Sequence, residues 1–234
     1  MRTERFVIDP CNPGEVLACA GLAVLASRDQ PDATTGFERS GRGWVFTAPF
    51  PEQGLEGLSQ LEMADDESLL LGDIRLDWWH WGYGLNQPFK FWAGQQTAKS
   101  VLTNLVNAAR DGHPGEWLDF QAPTTGRLGV DPQGSWNALE LGWSPNEHPD
   151  IQYLCRPFVE MLAFIGLQHF PVQGQRDTGF RYSLWPRVPL QLAILAFAGS
   201  SIHSLGRWQT EIGSAGSNKI LKSAYPIGED HERD

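Results

Sequence analysis

The segment that most constrains the fold lies near the start of the chain, where a short apolar strand leads into a helix that is apolar on nearly every face. Phe6-Val7-Ile8 predicts a buried strand, and residues 13–27 predict a helix. Asn12 is a favourable N-cap, Pro13 suits the first helical position, and Glu15 stands where a capping box places its acid. Because its apolar residues surround the axis, this helix must be buried on most sides.

Short extended runs follow the helix. Residues 37–40 and 44–47 flank a Gly-rich turn and predict a hairpin. Ile74, Leu76 and Trp78 alternate with charged residues, as in a half-buried strand. The acidic stretch between these elements is expected at the surface.

Two more helices are predicted from apolar residues at helical spacing: one that is entered over residues 93–100 and ends at Asp111-Gly112, and one over about residues 149–165. Pro157 marks either the true start of the second one or a kink in it. Further strands are predicted over residues 179–185, 190–197, 207–212 and 219–224. The sequence therefore predicts an α+β fold with a buried central helix near the N-terminus, short and mostly antiparallel strands and hairpins, and about three main helices.

Charge is distributed unevenly along the chain. The net charge is -10, with -11 in residues 1–150, +4 in residues 151–225 and -3 in the last nine residues. So acidic a chain is not a generic polyanion binder. We expect an acidic α+β part over residues 1–150 and a basic α+β part over residues 151–234, either separate or packed as one domain. Contact with nucleic acid should favour the basic part, unless its cations are simply spread over the surface.

Signals for catalysis are weak. The six histidines form no H-x-H, H-x-x-x-H or H-E-x-x-H spacing, and a P-loop, G-x-G-x-x-G and G-x-S-x-G are absent. Cys11, Cys19 and Cys155 form no C-x-x-C pair, which is typical of a reducing cytoplasm. Neither a signal peptide nor an apolar run long enough to span a bilayer is evident. We expect a cytoplasmic, non-enzymatic protein without metal, cofactor or membrane contact, although an acid–base site assembled from distant residues stays open.

An aromatic segment over residues 78–92 has three interpretations. It packs in the core, it stacks unpaired bases while Lys90 and Lys99 meet phosphates, or it binds a sugar or a cation. Gln95 and Gln96 stand just before a predicted helix, and amide side chains contact base edges and phosphates.

Cations in the basic part lie in or beside predicted loops and strand ends, a placement that suits contacts to phosphates. A Gly- and Ser-rich loop over residues 213–218 either enters a groove of nucleic acid or is a flexible hairpin tip. The candidate nucleic-acid-binding residues are Lys90, Gln95, Gln96, Lys99, Arg176, Arg181, Arg187, Arg207, Asn218, Lys219 and Lys222.

Three segments together carry a family resemblance. Residues 6–22, FVIDPCNPGEVLACAGL, resemble the start of the short large-subunit-like protein of type I-U (also called I-G) Cascade complexes, a CRISPR-associated family. Residues 89–97, FKFWAGQQT, look like the second signature of that family, and residues 164–170, FIGLQHF, are a third, weaker patch. The resemblance covers most of the chain, but discontinuously.

The resemblance implies a non-catalytic subunit of a crRNA-guided interference complex in antiviral defence. Its implied partners are the crRNA, target double-stranded DNA at the protospacer-adjacent motif, the Cascade backbone and crRNA-end-binding subunits, and the helicase–nuclease. In such complexes base pairing reads the target, while protein reads a short flanking motif.

Two alternatives stay open. One is a structural subunit that bridges protein partners without touching DNA. The net charge of -11 in residues 1–150 would suit a basic partner protein. The other is a stand-alone carbohydrate-binding or hydrolytic protein that uses Trp78, Trp79, Trp81 and His80.

Overall fold

The structure is a computed structural model that describes residues 2–64, 68–76, 96–124, 126–132, 154–175, 178–199, 204–215 and 218–228. Its helices within these ranges are α1 (Pro13–Asp29), α2 (Glu52–Gly57), α3 (Ala98–Ala108), α4 (Pro157–His169) and α5 (Leu190–Phe197). Its strands are β1 (Thr3–Ile8), β2 (Thr34–Ser40), β3 (Gly43–Pro49), β4 (Leu61–Met63), β5 (Leu69–Leu71), β6 (Ile74–Leu76), β7 (Ala122–Pro123), β8 (Leu154–Cys155), β9 (Gln173–Gln175), β10 (Gly179–Leu184), β11 (Val188–Pro189), β12 (Gly206–Ala215) and β13 (Asn218–Ile227).

The strands form two principal sheets. The first sheet has the order β1-β3-β2-β11, and the second sheet has the order β13-β12-β10-β9. A small sheet, β4-β5-β6, and the pair β7-β8 complete the set, and the pairings are antiparallel. The predicted α+β class is confirmed.

Helix α1 is the predicted central helix. Every residue from Pro13 to Ala26 is buried, so the helix has no solvent-facing stripe over most of its length. The Asn12 side chain accepts hydrogen bonds from the N–H groups of Gly14 and Glu15, as an N-cap does. Within the described stretches, no helix combines the length and apolarity needed to span a bilayer.

Helices α1 and α4 cross at very short range because each carries a glycine at the crossing. A Cβ atom on Gly21 would lie 2.2 Å from the carbonyl oxygen of Leu162, and one on Gly166 would lie 2.2 Å from that of Leu17. The two backbones therefore touch directly. Gly21 and Gly166 belong to the first and third segments of the family resemblance.

Aromatic side chains join the two principal sheets into one core. Trp185 is fully buried and packs edge-to-face against Phe37 of the first sheet, at 4.7 Å between ring centroids. Trp44 of the first sheet and Trp208 of the second make a similar contact at 5.8 Å. The buried apolar cluster consequently contains side chains from both sides of residue 150.

One predicted element was wrong, and for another the first of two predicted alternatives, a helix start at Pro157, is confirmed. Residues 190–197, expected as a strand, form helix α5, because a short continuous apolar run looks the same in a buried strand and a buried helix. The helix expected over 149–165 starts at Pro157 and runs to His169, with Cys155 in strand β8 before it. Proline at the first helical position explains this start.

The strand predicted at Ile74 and Leu76 is confirmed as β6, in which both residues are buried and Arg75 between them is exposed, and β6 pairs with β5 in a hairpin. Gly72, with φ of 60°, lies in the turn between them. Trp78, expected on the same strand, lies outside the described residues.

We expect Gly21→Ala and Gly166→Ala each to lower the free energy of unfolding by about 1–3 kcal/mol, because each added methyl group must push the two helices apart. Urea denaturation measures the change. Gly57→Ala is the matched control, since the nearest atom to its added Cβ would be 3.6 Å away. Equal losses in all three variants would contradict the close crossing.

Candidate nucleic-acid interface

The second sheet brings together three of the predicted cations. Arg181 lies on β10, Arg207 on β12 and Lys222 on β13. The chain folds this way because inward residues such as Phe180, Tyr182 and Trp208 alternate with polar ones along the strands. The sheet buries the apolar side and turns its other side outward.

One row of side chains crosses all four strands of the second sheet. Gln173 is opposite Arg181, Arg181 is opposite Gln209, and Gln209 is opposite Tyr225. Directly opposed residues project from the same face of a sheet, so these four share the outward face. Gln173 and Arg181 are exposed and Tyr225 is 45% exposed, whereas Gln209, between Arg181 and Tyr225, is buried. We call these four residues the transverse row.

Gln209 fixes the position of Arg181. The Nε atom of Arg181 donates a hydrogen bond of 2.6 Å to Oε1 of Gln209. Nε2 of Gln209 donates in turn to the carbonyl oxygens of Thr178 and Thr210, at 3.3 and 3.1 Å. The amide of Gln209 thereby has both ends bound, so it holds the guanidinium group against the sheet.

Arg207 and Lys222 flank the transverse row. Nη2 of Arg207 donates to the carbonyl oxygen of Gly199, just after α5, at 2.9 Å. Nζ of Lys222 lies 3.6 Å from a carboxylate oxygen of Glu211. In the part of the chain that the structure describes, no acidic side chain forms an ion pair with Arg181 or Arg207. The outward face is therefore locally cationic.

Other predicted residues lie on different elements. The Nε atom of Arg187 donates to Oγ1 of Thr34 in the first sheet, at 3.1 Å. Lys99 is exposed in the first turn of α3, and Gln96 is partly buried just before that helix. Lys90, Gln95 and Arg176 lie outside the described residues.

The loop predicted over residues 213–218 is shorter than expected. Strand β12 continues to Ala215 and β13 starts at Asn218, with Ala215 opposite Asn218 and Ser214 opposite Lys219. Cross-strand pairing extended both strands into the Gly- and Ser-rich stretch. Asn218, predicted in the loop, and Lys219, predicted beside it, are consequently both ladder positions at the far end of the hairpin.

A buried ion network was missed by the sequence analysis. Arg156 is bidentate to Asp131, with Nε to Oδ2 at 2.7 Å and Nη2 to Oδ1 at 2.6 Å. Its Nη1 donates to Glu15 at 2.8 Å. All three side chains are less than 10% exposed. Arg156 contributes to the net positive charge of residues 151–225. Because it is ion-paired with buried carboxylates, it adds no charge to the protein surface.

The N-terminal motif belongs to this network. Nδ2 of Asn12 donates to Asp131 at 2.9 Å, while the second carboxylate oxygen of Glu15 accepts from the N–H of Asp9 at 2.8 Å. In a capping box, the side chain at Glu15 would accept from the N–H of the N-cap residue Asn12. Here it accepts from the N–H of Asp9, three residues earlier. The polar residues of this motif face the protein interior, and their roles are structural.

Glu160 holds the loop that presents Asp131. Its carboxylate is buried and accepts hydrogen bonds from the N–H groups of Gly129, at 2.9 Å, and Asp131, at 3.3 Å. Burial raises the pKa of Glu160 to about 7, and the negative charge of Asp131 acts in the same direction. The charge of Arg127 opposes this rise.

Two of the three cysteines are buried. Burial raises the pKa of the Cys19 and Cys155 thiols well above the ordinary value, which disfavours the reactive thiolate. Among the residues described, no group of three or more His, Cys, Asp and Glu side chains is placed to hold a metal ion.

Comparison of the chain with protein-family models, curated proteins and solved structures found no match. Function must therefore be inferred from the chain's own residues and geometry.

Arg156→Met should lower the free energy of unfolding by about 3–5 kcal/mol, because it leaves two buried carboxylates without their cation. Arg28→Met is the control. Arg28 pairs with Asp73 at 2.6 Å on the surface, and loss of such a pair costs about 0–1 kcal/mol. Chemical denaturation of both variants at pH 7 measures the difference, and similar small losses would contradict the network.

Glu160→Gln should flatten the pH dependence of stability. Between its ordinary pKa of 4.5 and its folded pKa of about 7, Glu160 binds a proton more tightly in the folded chain than in the unfolded chain. Its contribution to stability is therefore present below pH 4.5 and is lost as pH rises through 7. Denaturation midpoints of wild type and variant from pH 5 to 8 measure this, and parallel curves would contradict it.

Proposed function

We propose that this protein is a non-catalytic, cytoplasmic subunit of a crRNA-guided type I CRISPR surveillance complex, and that it contacts target DNA through the outward face of the second sheet. The observation that carries the DNA contact is the pair Arg181 and Arg207 on that face, neither ion-paired to an acid among the described residues. Guanidinium groups fixed on a rigid sheet suit phosphate oxygens.

The assignment to such a complex depends on the resemblance of residues 6–22, 89–97 and 164–170 to the short large-subunit-like family of type I-U systems. Parts of the first and third segments meet at the α1–α4 crossing, through Gly21 and Gly166. A shared folding requirement accounts for such a pattern, because any side chain at either glycine would separate the helices.

The proposed partners divide between the two parts of the surface. The crRNA and the target double-stranded DNA at the protospacer-adjacent motif would meet the cationic face. The backbone and crRNA-end-binding subunits of Cascade, and the helicase–nuclease that cuts, would meet the rest. Base pairing would supply sequence specificity, and this subunit would hold and position the duplex.

A purely structural bridging role is the second candidate, favoured by an open groove on the acidic part. The groove has a volume of about 780 Å³ and is lined by three acids, Glu4, Asp29 and Glu52, and by Arg2, which is ion-paired with Glu4, among others. Such a surface suits a basic partner protein. Crosslinking of the assembled complex to target DNA separates the candidates, since a bridging subunit would form no adduct. The residues of the carbohydrate-binding alternative lie outside the described ranges.

Charge reversal tests the DNA contact. Arg181→Glu and Arg207→Glu should each weaken binding of the assembled complex to target duplex several-fold and lower the slope of log K against log salt by about one. Fluorescence anisotropy between 50 and 300 mM salt measures both quantities.

Arg42→Glu is the matched control for these variants. Arg42 is exposed at the tip of the β2–β3 hairpin, and its substitution changes the net charge by the same amount as Arg181→Glu or Arg207→Glu. Thermal unfolding confirms that each variant folds, which matters for Arg207 because it also donates to Gly199. Unchanged affinity for both sheet variants, or an equal loss in the control, would contradict the contact.

A further inference from the structure

We propose that the transverse row binds an unpaired nucleic-acid strand, with a base stacked on Tyr225 and the sugar–phosphate chain held by Arg181. This inference rests on the proposed function, and it narrows the nucleic acid bound at this face from crRNA and target duplex to a strand whose bases are accessible. It makes the second sheet a platform for single-stranded nucleic acid.

The geometry of the row suits an extended strand. Three spacings of about 4.8 Å between neighbouring strands place Gln173 and Tyr225 about 14 Å apart across the sheet. Four-stranded sheets with exposed aromatic residues stack two or three unpaired bases in this way. A flat face, in contrast, does not enter the major groove of a duplex, which accepts a helix or a two-stranded ribbon.

Tyr225 has the exposure that stacking needs. It is 45% exposed on β13, whereas Tyr182 on the inward face of the same sheet is 2% exposed and donates its hydroxyl hydrogen to the carbonyl oxygen of Pro10. An aromatic ring open to solvent on a rigid strand presents a face to any base without selecting one. The sheet is rigid at this point because the N–H of Ala224 donates to the carbonyl oxygen of Cys11.

Arg181 supplies the positive charge of the transverse row. It stands two strands from Tyr225 in the row, and Gln209 between them holds its Nε atom. The terminal nitrogens of such a guanidinium group can bind a phosphate, and its plane can also stack on a base. Gln209 is then a positioning residue, because both ends of its amide are already bound within the protein.

Charge on the surrounding sheet favours a polyanion. Of the charged side chains described on β10, β12 and β13, Arg181, Arg207 and Lys222 are cationic, and Glu211 is the one anion. The electrostatic attraction is local, since the chain as a whole has a net charge of -10. A strand that follows the row would therefore be steered to this face and away from the rest of the surface.

The test uses the full chain with 5′-labelled, mixed-sequence 15-nucleotide probes: single-stranded DNA, single-stranded RNA of the same sequence, and the corresponding DNA duplex. We expect both single strands to bind more tightly than the duplex. Tyr225→Ala should weaken single-strand binding about tenfold, as loss of one base stack does, and leave duplex binding unchanged. Tyr225→Phe keeps the ring and should keep the affinity.

Val7→Ala is the matched control, because Val7 is an exposed apolar residue (74%) on a strand of the first sheet. Equal affinities for DNA and RNA strands point to stacking and phosphate contacts alone, whereas preference for RNA adds a contact to the 2′-hydroxyl group. Both results support the inference.

The remaining results distinguish failure of the stacking platform from failure of the proposed DNA contact. If Arg181→Glu weakens binding but Tyr225→Ala does not, or if the duplex binds as tightly as the single strands, the stacking platform is wrong and the phosphate contact stands. If no probe binds in a salt-dependent way, the stacking platform and the proposed DNA contact of the second sheet are both wrong.

Discussion

Arg156 and its two buried carboxylates are the interaction on which the remaining structure depends. The guanidinium group joins Asp131, 25 residues before it, to Glu15, 141 residues before it. It thereby ties the first turn of α1 and the loop at residues 126–132 to the start of α4. A buried arginine with two carboxylates is stable only when the hydrogen bonds are complete, and here Asn12, Asp9 and the Leu118 carbonyl supply the rest.

The network determines where function can reside. Because Asn12 and Glu15 are used for capping and for binding Arg156, the most distinctive motif of the chain faces inward. The glycine-mediated crossing of α1 and α4 then fixes the two helices, and the aromatic contacts of Trp185 and Trp208 fix the sheets beside them. This leaves a rigid second sheet with its polar face outward, which is the kind of support that a nucleic-acid contact needs.

Much of the fold could be predicted from local pattern. The N-cap at Asn12, the helix that follows it and the hairpin around residues 41–43 were all predicted, because each depends on residues within one or two turns of chain. Helix α5 was predicted as a strand because seven of its eight residues are apolar and its one polar residue, Gln191, gives no periodic signal. Its helical form depends on packing against neighbouring elements, which a local pattern does not contain.

The candidate site divides in the same way. Its residue types were determined by the sequence: Arg181, Arg207 and Lys222 were identified as cations beside strands, in the basic part of the chain. Their grouping was decided by tertiary structure. Strand register placed Arg181 directly opposite Gln209 and in one row with Tyr225. Burial removed the charge of Arg156 from the protein surface. Composition counts every charge alike, whereas register and burial depend on contacts between residues far apart in the chain, and these exist only once the chain has folded.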